Sequence, residues 1–208
     1  MKLYVNPMSP NSRKALLAAH DLGIPVEAQV VDLVKGETKT PAYLKMNPNG
    51  MVPTLDDDGF VLWESNAIMQ YMASTKPGNA LLPDEPKARA DVLRWQSWEL
   101  AHWDPACGTL IWENMLKQAF GAGAADPVAV KAGEEKFHRF ARILDARLAG
   151  REWVVGAAPT LADYSLASYL MYAQPAKMPL DSYSDIKRWL GNVEKREAWK
   201  ATQPRMPA

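Results

Sequence analysis

Residues 49–68 read Asn49-Gly50-Met51-Val52-Pro53-Thr54-Leu55-Asp56-Asp57-Asp58-Gly59-Phe60-Val61-Leu62-Trp63-Glu64-Ser65-Asn66-Ala67-Ile68. Val52 to Leu55 and Phe60 to Leu62 flank an acidic turn ending in Gly59, a strong hairpin signal. A proline after the β-branched Val52 can hold its bond cis, which turns the Val52 amide and carbonyl outward for an extended peptide ligand. Glu64 and Ser65 fall where a helix begins. Free amides at a helix start attract a carboxylate, and an adjacent carboxylate attracts an ammonium, so the pair suits the zwitterionic end of an amino acid. The competing reading is a capped helix after an ordinary hairpin, because Ser and Glu are favoured at helix starts in any case.

Upstream, Leu3 to Val5 is a short β run, and Ser12 to Leu22 places Leu16, Leu17, Ala19 and Leu22 at helical spacing before Gly23. Ile24 to Val34 alternates as a second strand and feeds a Lys35, Gly36, Glu37 loop, followed by a turn of helix at Tyr43 and Leu44. The order is βαβ then ββα, closed by a helix from Ser65 to Ser74. It is too short for a doubly wound dinucleotide fold, and no glycine-rich phosphate fingerprint follows the first strand.

Downstream, Lys76, Pro77, Gly78 and Asn79, then Pro83, Asp84, Glu85 and Pro86, read as a linker. This divides the chain into an α/β domain over 1–76, a linker over 77–86 and an all-helical domain over 87–208. Val92, Trp95, Trp98 and His102 step by three and four, as do Phe137, Phe140, Leu144 and Leu148 after a break at Gly121 to Pro127. Asp104 and Pro105 interrupt the first of these long helices, where a bend is expected. Thr160 and Asp163, after Pro159, form a capping-box variant in which hydroxyl and carboxylate can each satisfy an amide, opening a helix to about Ala173. Tyr183 to Glu194 gives a last amphipathic helix, and the Pro204 to Ala208 tail is expected to be loose.

The chain has 208 residues, 48% of them hydrophobic, which suits one large packed domain or two small ones. Acidic and basic residues balance at 24 each, so no overall field draws it toward nucleic acid, and no basic run carries interleaved aromatics. Asn6 and Pro7 interrupt the start before an apolar run reaches signal length, and nothing approaches the roughly 18 apolar residues of a membrane helix. One cysteine, Cys107, cannot form an internal disulfide, which fits a reducing cytoplasm. No metal site is expected. The eight tryptophans read as core and pocket walls.

Between the first strand and first helix lie Met8, Ser9, Pro10, Asn11, Ser12, Arg13 and Lys14. Ser9 before a proline is an expected N-cap, with Pro10 at the first helical position. A hydroxyl at this helix start would also face the same edge as the Val52, Pro53 turn if the strands pair as the βαβ order implies. Ser12 is its rival, although beside Arg13 it falls within the helix.

The chain resembles a cytosolic glutathione transferase, similar to the theta, phi and related bacterial classes. The resemblance rests on Ser9 four residues before Arg13, on Leu33 to Glu37, on Asn47 to Pro53, on Glu64 to Ile68 and on Pro159 to Asp163. It implies a thioredoxin-like first domain that holds glutathione as cosubstrate, an all-helical second domain that supplies most of the pocket for a hydrophobic electrophile, and a homodimer. Ser9 matches the serine whose hydroxyl bonds the glutathione sulfur. Val52, followed by Pro53, would pair through its backbone with the cysteinyl part, and Glu64 and Ser65 would hold the γ-glutamyl ammonium and carboxylate. Lys39 lies in the loop whose basic residue contacts the glycine carboxylate in similar enzymes, although Thr38 stands where several relatives have histidine. Met8 and Asn11 border the second substrate, opposite an apolar wall of Trp103, Cys107, Leu110, Ile111 and Trp112. Core packing is the alternative for that wall; Cys107 also reads as a small apolar filler and His102 as a packing residue.

Glutathione conjugation is the leading reading. The same thiolate could instead serve dehalogenation, isomerisation, ether cleavage or peroxide reduction, and a noncatalytic ligand-binding protein of the same fold is a third possibility.

Overall fold

The computed structural model describes residues 1–204. They fall into two compact units: Met1–Asp84 together with the described residues from Lys195 onward, and Glu85–Glu194.

The first unit begins with β1 (Lys2–Val5), α1 (Pro10–Asp21) and β2 (Glu27–Val30), passes through a 3-10 turn at Glu37–Lys39 and α2 (Pro41–Met46), and continues as β3 (Thr54–Asp57), β4 (Phe60–Trp63) and α3 (Ser65–Ser74). The sheet order is β2-β1-β3-β4, with β1 parallel to β2 and antiparallel to β3, and β3 antiparallel to β4. This is the expected thioredoxin-like arrangement. The hairpin is closed by Asp57 opposite Phe60, and its two loop residues, Asp58 and Gly59, take φ of 50° and 93°, both positive as a type I′ turn requires. The Gly59 amide donates to Asp56 Oδ1 at 2.8 Å. α1 packs beside α3, and Ala15, Leu17 and Ala18 join Ile68, Met69 and Met72 in a core with Leu3, Val5 and Leu55.

The second strand is shorter than the alternation over Ile24 to Val34 predicts. Asp32 Oδ1 accepts the amides of Val34 and Lys35 at 2.9 and 3.0 Å, folding the chain into a turn just past β2. β2 is also an edge strand whose residues are all exposed, so its alternation does not mark a buried face.

In the second unit α4 (Pro86–Trp98) runs through a π-helical turn at Glu99–Trp103 into α5 (Asp104–Ile111), then through another at Trp112–Leu116 into α6 (Lys117–Ala119). The interruption expected at Pro105 takes this form. The Asp104 amide reaches back five residues to the Glu99 carbonyl, and Pro105, which has no amide to donate, follows it within the same continuous run of helix. α7 (Pro127–Leu148), α8 (Leu161–Leu170) and α9 (Ser184–Glu194) complete the unit. Where α5 meets α7, a Cβ on Gly133 would lie 3.0 Å from side-chain atoms of Leu110 and Thr109. The absent side chain is what allows that approach. α8 ends three residues before the expected Ala173, because the amides of Tyr172 and Ala173 turn back to Tyr169 and Leu170 ahead of Pro175.

Asp163 ties this unit together. Its Oδ2 accepts the Thr160 amide at 2.7 Å and the Thr160 hydroxyl at 3.0 Å, while Oδ1 accepts the Val154 amide at 2.9 Å and the Trp189 indole at 2.8 Å. The capping box thus extends to α9. Full burial pushes the Asp163 carboxyl above its usual range, and the four donors act against that shift.

The chain then returns to the first unit as α10 (Glu197–Ala201). The Arg13 guanidinium lies 3.7 Å from the Trp199 ring centroid and donates through Nη2 to the Trp199 carbonyl at 3.0 Å. Arg196 grips Asp21 Oδ2 at 2.6 Å. These contacts remove the last described residues from the helical domain expected over 87–208. Of the expected loose tail, Pro204 to Ala208, all but Pro204 lies outside the described residues. Among the described residues no helix is long and apolar enough to cross a membrane, and no group of His, Cys, Asp and Glu is arranged to hold a metal.

Asp163→Ala leaves four buried donors without an acceptor and is expected to lower unfolding free energy by about 3–5 kcal/mol in urea titrations. A loss under about 1 kcal/mol would show that the carboxylate does not tie the unit. Burial first, and the charges of Asp104 and Glu99 second, push the Cys107 thiol well above its ordinary range. A thiol reagent at neutral pH should therefore label Cys107 only after denaturation; fast labelling of the native chain would contradict its placement.

Candidate functional site

Three segments of the first unit meet at one edge because of the strand register. Tyr4 lies opposite Thr54, and Thr54 lies opposite Trp63. The exit of β1, the entry of β3 and the exit of β4 are therefore side by side. The loop into α1, the Val52, Pro53 turn and the start of α3 all leave from this row.

Ser9 is the N-cap of α1, partly exposed, with its Oγ accepting the Ser12 amide at 3.2 Å. A hydroxyl that accepts from its own helix still has its proton to donate elsewhere. Ser12 differs in its burial. It is fully buried, and its Oγ accepts the Asn6 amide at 3.1 Å. Asn11, one position beyond Pro10, accepts the Ser65 hydroxyl on Oδ1 at 3.1 Å and so ties the start of α1 to the start of α3.

Glu64 precedes α3 with φ 73° and ψ 110°, outside the regions open to ordinary side chains, and it makes no cap hydrogen bond. Such a backbone costs on the order of 1–3 kcal/mol and persists only where surrounding structure imposes it. Here it leaves the carboxylate exposed beside the first amides of α3.

The Val52–Pro53 bond is cis. Among the described residues the Val52 amide and carbonyl take part in none of the ladder or turn hydrogen bonds. The carbonyl before it is fully engaged: Met51 O accepts the Tyr43 hydroxyl at 2.8 Å and Asn47 Nδ2 at 2.9 Å. Thr54 Oγ1 lies 3.0 Å from both Tyr43 Oη and Asn47 Nδ2, and Asn47 Oδ1 accepts the amide and the side-chain amide of Asn49. Burial raises the Tyr43 hydroxyl above its ordinary range. Lys39 Nζ closes the turn on the Gly50 carbonyl at 3.1 Å. Gly50 has φ +60°, and a Cβ there would meet Lys39 Nζ at 2.7 Å and the Thr38 carbonyl at 3.0 Å, so two separate constraints require glycine.

Tyr43, Asn47 and Thr54 were not singled out as site residues from the sequence. Asn47 carries a readable cue, an Asx-type turn over Asn47-Pro48-Asn49; Tyr43 gives none. Of the predicted apolar wall, Trp103, Cys107 and Leu110 expose none of their surface, and Ile111 is buried. Trp103 stacks near Trp98 and Phe137, with centroids at 6.1 and 5.1 Å, and its indole donates to the Leu166 carbonyl. Trp112 is 41% exposed, over Phe120. His102 stacks on Phe140 at 4.9 Å, a packing role.

The family description "Glutathione S-transferase, N-terminal domain" matches residues 8–75, and "Glutathione S-transferase, C-terminal domain" matches residues 127–192. Glutathione S-transferase 3 of Zea mays is 31% identical, over 100% of this chain and 95% of its own. Glutathione transferase F7 of Populus trichocarpa superposes with a TM-score of 0.90 at 30% identity, over 97% of this chain and 96% of its own. A glutathione S-transferase-I whose structure holds lactoylglutathione superposes at 0.87 with 27% identity, over 97% of each chain. From the thioredoxin-like sheet to the capping box of α8, the chain belongs to the glutathione S-transferase family, and it is a transferase that uses glutathione.

Proposed function

We propose that this chain conjugates the glutathione thiolate to a hydrophobic electrophile, as a serine-type enzyme similar to the theta, phi and related bacterial classes. The observation that carries the reading is the Ser9 hydroxyl, which accepts from the Ser12 amide and keeps its own proton to donate. A free thiol titrates near about 8.5 and is mostly protonated at neutral pH. A donated hydrogen bond to the sulfur and the positive end of α1 both favour the thiolate, the thiol proton passing to solvent on binding. The thiolate then attacks an electrophilic carbon; a carbon–sulfur bond forms as the leaving group departs with its bonding electrons.

The other contacts follow from the same edge of the sheet. Val52 offers an amide and a carbonyl without ladder partners to the cysteinyl peptide group, in the manner of an added strand. Glu64 supplies the anion for the γ-glutamyl ammonium, and the start of α3 at Ser65 supplies donors for its carboxylate. Lys39 serves the glycine carboxylate once it exchanges the Gly50 carbonyl for the stronger acceptor. Met8 and Asn11 stand beside Ser9. In the helical unit, Trp112 offers the electrophile open apolar surface, whereas Ile111, Leu110, Cys107 and Trp103 are core of that unit.

A cytoplasmic homodimer completes the proposal. Exposed Met51 and Phe60 give the first unit apolar surface of the kind a subunit contact covers, and sedimentation of the purified chain tests it.

Ser9→Ala should lower kcat at neutral pH by about 10–100-fold, the worth of one charge-assisted hydrogen bond, with little change in glutathione affinity. Normal turnover would remove Ser9 from the mechanism. Gly50→Ala forces a strained φ and displaces Lys39, so calorimetry should show glutathione binding weakened by about tenfold or more. Unchanged affinity would dissociate the Lys39, Gly50 turn from the ligand.

A further inference from the structure

We propose that the segment from Lys195 to Ala201 is a positioning element for Ser9, acting through α1, with Trp199 and Arg196 as its working residues. The inference rests on the assignment of Ser9 to the glutathione sulfur.

α1 is held at both of its ends by this returning segment. At the first turn the Arg13 amide donates to the Ser9 carbonyl at 3.0 Å, the bond that fixes Ser9 as the cap, while the Arg13 side chain is 2% exposed against Trp199. The guanidinium meets Trp199 twice, over the ring face at 3.7 Å and at the carbonyl at 3.0 Å. At the other end Arg196 bridges to Asp21, the last residue of α1, through Nε at 3.1 Å and Nη2 at 2.6 Å. Two attachments, at Arg13 in the first turn and at Asp21 in the last, fix both the axial position and the rotation of α1. Asn11, between Ser9 and Arg13, adds a third attachment to the Ser65 hydroxyl.

The rotation of this first turn decides where the Ser9 hydroxyl aims. A donor serves the thiolate only within a narrow range of distance and angle, so a small roll of α1 weakens the sulfur contact without touching the peptide-binding turn at Val52. Loss of the clamp should therefore act on the ionisation of the bound thiol more than on glutathione affinity. A merely structural role would lower stability and leave the bound thiol of the folded fraction unaltered.

The test uses the full chain with glutathione bound, following thiolate ultraviolet absorbance against pH, together with kcat and KM for an activated haloaromatic. Trp199→Leu keeps apolar volume but removes the ring. It should reduce the thiolate fraction at neutral pH, and kcat with it, by about tenfold, with KM for glutathione changed less than about threefold. Trp199→Phe, which restores an aromatic face, should recover most of the loss. Arg196→Met releases the other attachment at a partly exposed site and should move the titration in the same direction, which decides the matter if Trp199→Leu does not fold. Ser9→Ala is the control. If Ser9→Ala shifts the titration while Trp199→Leu and Arg196→Met titrate as the unaltered chain does, the positioning role is overturned. If Ser9→Ala leaves the titration in place, the sulfur assignment itself fails.

Discussion

The Met51 carbonyl is the point on which the geometry of the site depends. It accepts from Tyr43 of α2 and from Asn47 at the end of that helix, and both donors also reach Thr54 at the head of β3. The cluster is largely buried, so each missing partner would leave a polar group unsatisfied in a low-dielectric setting. That asymmetry makes the cluster close completely. With the carbonyl before it and the strand after it both fixed, the Val52 peptide group is presented in one orientation. The strand row through Tyr4, Thr54 and Trp63 then carries that position across to Ser9 and Glu64.

Most of the architecture was legible because its determinants are local. Asp58-Gly59 specifies a turn with two positive φ values, Ser9-Pro10 a helix start, and Thr160 with Asp163 a cap. The second strand stops short of the alternating run because an edge strand does not bury alternate residues, so alternation there sets no boundary. α10 went unread because five residues carry no periodicity of their own; its helix is held by Arg13, far away in the chain. In the candidate site, Ser9, Glu64 and Ser65 stood at helix ends that local rules identify. Tyr43 did not, since its role depends on a carbonyl that only the folded turn brings within reach.

The helical unit organises itself differently. Its fixed point is a buried charge with four donors, not a hydrogen-bonded carbonyl, and its long first helix absorbs Pro105 through a π turn. Apolar spacing found the residues of this unit but not their exposure. Trp103 and Trp112 look alike in sequence, yet the first is enclosed between Trp98 and Phe137 and the second is open. A tryptophan at helical spacing announces a contact, and the neighbouring helices decide whether that contact is permanent core or surface available to a ligand.

The first unit is discontinuous in sequence, and this sets an order on its assembly. During synthesis β1 through α3 emerge well before Arg196 and Trp199, so α1 must wait for the entire helical unit to be made before its clamp can close. The same discontinuity bears on recombination among relatives. A helical unit exchanged at a single junction near Asp84 would bring a foreign α10 against the native Arg13 and Asp21, whereas an exchange bounded at both Asp84 and Lys195 keeps α1 with its own Arg196 and Trp199.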